Sequence, residues 1–306
     1  MHPAVSVIFF TTFSGAGYGL WFWLGVLAVA NALPSRLVSL WILALGFVLV
    51  SAGLLSSLLH LGQPQRAWRA FSQWRSSWLS REGVVSVLCY VPALWLAAAV
   101  LFGFDARVAG GSLLLLSVLT VVCTAMIYAS LKPIPAWRHP VVVPVYLLFS
   151  VFTGGLMLSA ILALGYAAPG QWPALAAILL AALLWRLKQH VWRWIDRGVM
   201  PVSRNSALGL PDTRNIKVFE RPHTEANYLT REMGYVLARK HARKLRVVGS
   251  LLFAGVPALC ALPVWFFPDT NATPLLVLAA LSAMAGALVE RWLFFAEARH
   301  VVTLYY

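Results

Sequence analysis

The sequence predicts an all-α integral membrane protein, a bundle of eight transmembrane helices with one longer cytoplasmic loop. Three observations predict it. Of the 306 residues, 60% are hydrophobic and 11% are charged, where a soluble domain carries about 25% charge. Mean hydropathy is +0.78. The apolar residues gather in blocks long enough for the helix of about 20 residues that crosses roughly 30 Å of hydrocarbon.

The expected spans run over about 5–31, 37–60, 84–104, 108–129, 141–165, 173–195, 245–267 and 273–298. Proline punctuates their ends at Pro3, Pro34, Pro133, Pro140, Pro173 and Pro268. Pro92, Pro144, Pro257 and Pro263 fall inside or near spans and are expected to kink them. Gly15, Gly17 and Gly19 in the first span suit close helix packing. Trp74, Trp78, Trp137, Trp172, Trp192, Trp194, Trp292, Tyr305 and Tyr306 cluster near span ends, as an interfacial belt would. Residues 196–244 form the sizeable non-membrane piece. It opens as a proline-bearing loop and is expected to end in a charged helix from about Thr224, with Thr224 as N-cap.

The net charge of +14 would suggest nucleic acid in a soluble protein. Here its placement sets orientation instead. Of the 24 Lys and Arg, 22 fall on the side carrying the 2–3, 4–5 and 6–7 connections, and Arg36 and Arg107 alone on the other. The positive-inside bias puts that side, and both termini, in the cytoplasm of a bacterial inner membrane. No cleavable signal and no twin-arginine signal is read at the N-terminus. Cys89, Cys123 and Cys260 all lie in apolar blocks without a CxxC, which argues against a disulfide framework or a zinc site.

Ionisable groups at membrane depth are costly and therefore functional candidates. His60 closes the second span in Leu-Leu-His-Leu-Gly, and Glu82 opens the third in Ser-Arg-Glu-Gly. The short connection between them brings both to the same surface. The pair suits a quinone, whose two carbonyls take hydrogen bonds and whose reduction takes up two protons. An imidazole donates and accepts near neutral pH, and a carboxyl relays protons where its surroundings favour the neutral form. Both residues also fit plain helix-end electrostatics. Glu290 and Arg291 lie in the last span. Adjacent residues on a helix do not face each other, so each is expected to pair with another helix, structurally or on a proton path. Haem b needs axial histidines from facing helices. Only His60 and His190 lie near enough to span ends, so no haem and no metal is expected on this chain.

The opening Met-His-Pro-Ala with Phe9-Phe10-Thr11-Thr12 resembles a known family. So do the His60-Leu61-Gly62-Gln63-Pro64 turn, the Trp74-Arg75-Ser76-Ser77-Trp78-Leu79-Ser80-Arg81-Glu82 run and the Glu290-Arg291-Trp292-Leu293-Phe294-Phe295 tail. The family is that of dimethyl sulfoxide reductase anchor subunits, of DmsC type, and within it the sulfite dehydrogenase branch. The resemblance covers essentially the whole chain. It implies a complex in which a molybdopterin subunit acts on the substrate and electrons travel through a ferredoxin-like iron–sulfur subunit. The anchor then exchanges them with ubiquinone or menaquinone. By position, the family's quinone-linked His and Glu match His60 and Glu82. Arg81, Gln63 and Arg66 join them as quinone-binding or proton-transfer candidates, and Arg69, Trp74, Arg75, Trp78, Arg231 and Arg239 as partner-docking candidates. Glu290 departs from the Gly-Arg commoner in the family tail, so Glu290 and Arg291 are given no catalytic role.

Within the family, dimethyl sulfoxide reductases hold their soluble subunits outside and oxidise menaquinol, whereas sulfite dehydrogenases keep them inside and reduce quinone. The cytoplasmic charge bias favours the second. The alternative inside the family is a menaquinol-oxidising anchor. The alternative of another class is a secondary transporter, which would show paired broken spans and no stoichiometric soluble partner.

Overall fold

The computed structural model describes residues 4–59, 61, 63–165, 170–198, 200–211, 216–217, 219–220, 237–268 and 271–304. Among the described residues, eight helices are long and apolar enough to cross a membrane: α1 Val5–Val29, α2 Arg36–Leu58, α3 Trp78–Phe102, α4 Arg107–Ala129, α5 Val142–Leu164, α6 Gln171–Asp196, α7 His241–Phe266 and α8 Thr273–Ala296. The chain is an all-α multi-pass membrane protein, and among the described residues there is no strand. Because the spans cross in turn, the C-terminal ends of α2, α4, α6 and α8 share one side with the N-terminal ends of α1, α3, α5 and α7. That side is the loop side.

α1 is the hub. It packs against α2, α4 and α5 and touches α8. Small residues make this possible. An added Cβ on Gly19 would meet the Ser150 backbone, and one on Gly154 would meet the Gly19 backbone, so α1 and α5 cross at backbone contact. Gly17 meets Val50 and Gly46 of α2 in the same way. Gly15 has open space around its Cβ position, and the carbonyl there accepts from Ser150 Oγ at 2.6 Å. Two apolar clusters result. One joins α1 to α5 around Trp21, Leu24, Ile42 and Leu96. The other joins α5 to α8 around Phe152, Leu184, Phe253 and Leu293.

The proline effects are local. Pro92 sits inside α3 and Pro144 in the first turn of α5. Before Pro257 the seventh span widens into a π-helical stretch, Leu251–Gly255. A proline that lacks an N–H and crowds the preceding turn explains such a widening. The tryptophans divide. Trp74 and Trp172 are exposed, but Trp137 and Trp192 are buried to 4% and 3% exposure. These two therefore pack inside the protein instead of joining an interfacial belt. Trp137 donates to the Phe294 carbonyl at 3.0 Å. Tyr305, Tyr306 and Thr224 lie outside the described residues.

Candidate functional site

Hydropathy puts the start of the third span at 84, but α3 begins at Trp78. The polar residues Ser80, Arg81 and Glu82 are therefore helical, and each faces a different way. Ser77 caps the helix, accepting from the Ser80 N–H at 3.4 Å. Ser80 Oγ donates to the Ala70 carbonyl. Arg81 reaches back across the surface: Nε donates to the Trp74 carbonyl at 3.0 Å and Nη2 to the Arg75 carbonyl at 2.6 Å. Its guanidinium lies 4.3 Å from the Trp78 ring centroid. These bonds strap a 310 segment, Pro64–Gln73, over the mouth of α3. Phe71 of that segment lies against Gly83.

Glu82 turns inward. It is 5% exposed and lies about 6 Å below the start of α3 by helix rise. Oε1 accepts from Ser86 Oγ at 2.9 Å. Ser86 also stands 2.6 Å from the Glu82 carbonyl, so one hydroxyl proton serves two oxygens. Tyr18 of α1 faces Ser86 and lies in electrostatic reach of Glu82. Tyr128 of α4 lies within electrostatic range of both Glu82 and Arg291. A carboxyl held this way, in an apolar wall and near the surface, is suited to passing protons to an apolar partner.

The other sequence candidates fall into two groups. Gln63 and Arg66 are exposed, and the contacts among the described residues do not join them to Glu82. Arg81 acts on the Trp74–Arg75 turn, away from the carboxylate. His60 and Arg231 lie outside the described residues, and so does the side chain of Arg239. Arg69 and Arg75 lie 5.6 Å and 5.5 Å from the ring centroids of Trp68 and Trp74. With Trp68, Phe71 and Trp74 all exposed, the segment presents alternating aromatic and cationic groups outward. Aromatic and Arg side chains are the residues that anchor protein interfaces.

A second charged site lies deeper. Lys188 Nζ of α6 sits 2.5 Å from Glu290 Oε1, and Arg291 Nη1 sits 3.3 Å from Glu290 Oε2. Glu290 does pair with another helix, as expected. It also touches its neighbour Arg291, contrary to the expectation for adjacent residues, because the long guanidinium folds back. Arg291 lies 3.6 Å from the Tyr146 ring centroid and Lys188 5.1 Å from that of Trp192. Nearer the surface, Arg246 bridges Asp196 at 2.8 Å and Glu297 at 2.9 Å. Burial raises Glu297 above the ordinary carboxylate range, against the pull of Arg246. Among the described residues, no three His, Cys, Asp or Glu side chains gather as a metal-ligand set.

Sequence reasoning missed Lys188, Tyr18, Ser86 and Tyr146. Lys188 carried a weak signal, a cation inside an apolar block. The hydroxyl residues carried none.

An eight-span bundle with an acid-bearing third helix and an outward aromatic–arginine face defines a polytopic membrane protein. The family model for the DMSO reductase anchor subunit (DmsC) matches residues 1–296. A sulfite dehydrogenase subunit of Allochromatium vinosum is 34% identical, over all of this chain and 99% of its own length. The chain belongs to the DMSO reductase anchor subunit family, whose members are the membrane anchors of multi-subunit oxidoreductases.

Proposed function

We propose that this chain is the quinone-reactive membrane subunit of a molybdopterin and iron–sulfur oxidoreductase. It passes electrons from an iron–sulfur partner to the quinone pool during cytoplasmic sulfite oxidation. The observation that carries this reading is Glu82: a buried carboxyl about 6 Å inside α3, next to Gly83, against which Phe71 of the Pro64–Gln73 segment lies. A quinone, when bound, supplies a two-electron acceptor whose oxygens take two protons. Glu82 would hold and release those protons, with Ser86 steadying its Oε1. His60, placed by sequence at the other end of the same connection, would serve the second oxygen. Arg81 would hold the turn before α3 in place through the Trp74 and Arg75 carbonyls.

Direction and side rest on charge and on the relative. The bias of 22 basic residues against 2 supports a cytoplasmic loop side in a bacterial inner membrane, with both termini and the 196–244 connection there. The exposed Trp68, Arg69, Trp74 and Arg75 face that side, and with Trp78, Arg231 and Arg239 they would dock the iron–sulfur partner. The relative's name, that of a sulfite dehydrogenase subunit, supports sulfite as the electron source.

The test is affinity purification of the tagged chain in mild detergent, with metal analysis. The reading expects co-purified iron and molybdenum and sulfite-dependent reduction of a short-chain quinone. A chain isolated without either metal, or a complex that oxidises menaquinol and ignores sulfite, contradicts it.

A further inference from the structure

Three small cavities lie in series inside the loop-side half of the bundle, and successive ones share residues. The outermost, about 30 Å³, lies between Ile195, Gly198, Glu297 and Arg299. The middle one, about 20 Å³, shares Ile195 and Glu297 with it and is lined by Lys188, Glu290, Tyr146 and Arg291. The innermost, about 20 Å³, shares Tyr146 and Arg291 and reaches Thr12 and Tyr18 of α1. Each exceeds the roughly 10–15 Å³ that one water needs, given polar partners.

Polar partners are there in excess. Thr12 Oγ1 and Tyr146 Oη are buried and have no hydrogen-bond partner among the described residues, and Tyr18 Oη has none beyond the Ser86 hydroxyl that it faces. Thr12, Tyr18 and Tyr146 are 4%, 1% and 3% exposed. Buried hydroxyls are otherwise almost always paired, and here all three line one cavity. The Lys188–Glu290–Arg291 cluster lines the middle cavity with two cations for one acid. At the inner end Tyr18 faces Ser86, which bonds the Glu82 carboxyl. At the outer end Arg246 ties Glu297 to Asp196, whose side chain is 60% exposed.

We propose that these cavities hold ordered water and form a proton route from the Asp196–Glu297 surface, past Lys188–Glu290–Arg291 and the Tyr146 and Tyr18 hydroxyls, to Glu82. The proposal rests on the quinone reading of Glu82. For each pair of electrons from the iron–sulfur partner, two protons enter by this route. Glu82 releases them one at a time, the first to one quinone oxygen and the second by way of His60 to the other, and is refilled through Tyr18 and Ser86. The route reaches the carboxyl from within the bundle, through Tyr18 of α1.

The test uses the purified multi-subunit complex with sulfite as donor. Tyr18→Phe and Tyr146→Phe remove one hydroxyl each and keep the ring, and Thr12→Val does the same for the third. Turnover with ferricyanide, which bypasses the quinone site, reports assembly. The expected result is a fall of about tenfold or more in quinone-coupled kcat, an unchanged KM for quinone, a larger solvent deuterium isotope effect and unchanged ferricyanide turnover. Tyr90→Phe, whose hydroxyl pairs with Ser51 at 2.8 Å outside the cavities, is expected to leave all four alone. Wild-type kcat and isotope effect in all three hydroxyl variants, alongside loss of quinone turnover in Glu82→Gln, would overturn the route and leave the site standing. Wild-type quinone kinetics in Glu82→Gln itself would overturn the site and the route with it.

Discussion

Lys188 Nζ lies 2.5 Å from Glu290 Oε1, with the two side chains 4% and 0% exposed. Arg291 shares the same acid, so the cluster holds two cations and one anion. Removing the anion strands two buried positive charges, whereas removing Lys188 leaves a balanced Glu290–Arg291 pair. Breaking a buried pair costs about 3–5 kcal/mol, and Glu290→Gln is expected to reach that range while Lys188→Met falls clearly below it. Thermal unfolding of the two variants in detergent checks the order. Equal losses would show that charge balance is not what the cluster requires.

The crossing of α1 and α5 depends on Gly19. An added methyl there would run into the Ser150 backbone, which no side-chain rotation relieves. Overpacking of this kind costs about 1–3 kcal/mol and sometimes more. Gly19→Ala is expected to lower the yield of folded protein sharply. Gly111→Ala, whose Cβ would meet only Val29 at 3.6 Å, is expected to behave as wild type. Fluorescence-detected size-exclusion chromatography of both variants decides it.

Arg81 is a clamp. Its two bonds to the Trp74 and Arg75 carbonyls and its place over Trp78 tie the turn after Pro64–Gln73 to the start of α3. Arg81→Met is expected to speed amide exchange across residues 64–77 and raise the KM for quinone. Arg81→Lys restores charge without the planar fork and is expected to rescue little. Unchanged exchange in Arg81→Met would show that the segment stands without it.

His139 makes the start of α5 sensitive to pH. The Val141 N–H donates to His139 Nδ1 at 3.3 Å, which requires that nitrogen to be unprotonated. Partial burial, and then the nearby His190, hold His139 below the usual histidine range. A base depressed in the folded state stabilises it fully above the unfolded value of about 6.5 and loses that contribution as pH falls through the folded value. Thermal stability is therefore expected to drop on acidification below about pH 6.5. His139→Asn keeps an acceptor that does not titrate, so its profile should be flatter. Parallel profiles would remove His139 from the account.

The eight spans were legible because the bilayer writes its demand into composition: long apolar blocks and basic residues gathered on one side. Glu82 was legible for a related reason, as an acid at a span border where few are tolerated. Its surroundings were not. Tyr18 and Tyr146 look like ordinary apolar-span aromatics, and only the packing shows that their hydroxyls share one cavity. Trp137 and Trp192 read as belt residues because hydropathy reports depth and says nothing of which face of a helix meets protein. Lys188 read as a loop-side charge for the same reason: its sequence neighbourhood does not show that Glu290 waits across the helix interface.

The most direct test of the central claim is the quinone kinetics of the Glu82→Gln complex with sulfite as donor. The account predicts loss of short-chain quinone reduction by about a hundredfold or more, the scale of a positioned acid–base group, with ferricyanide reduction intact. Quinone reduction at the wild-type rate would contradict it.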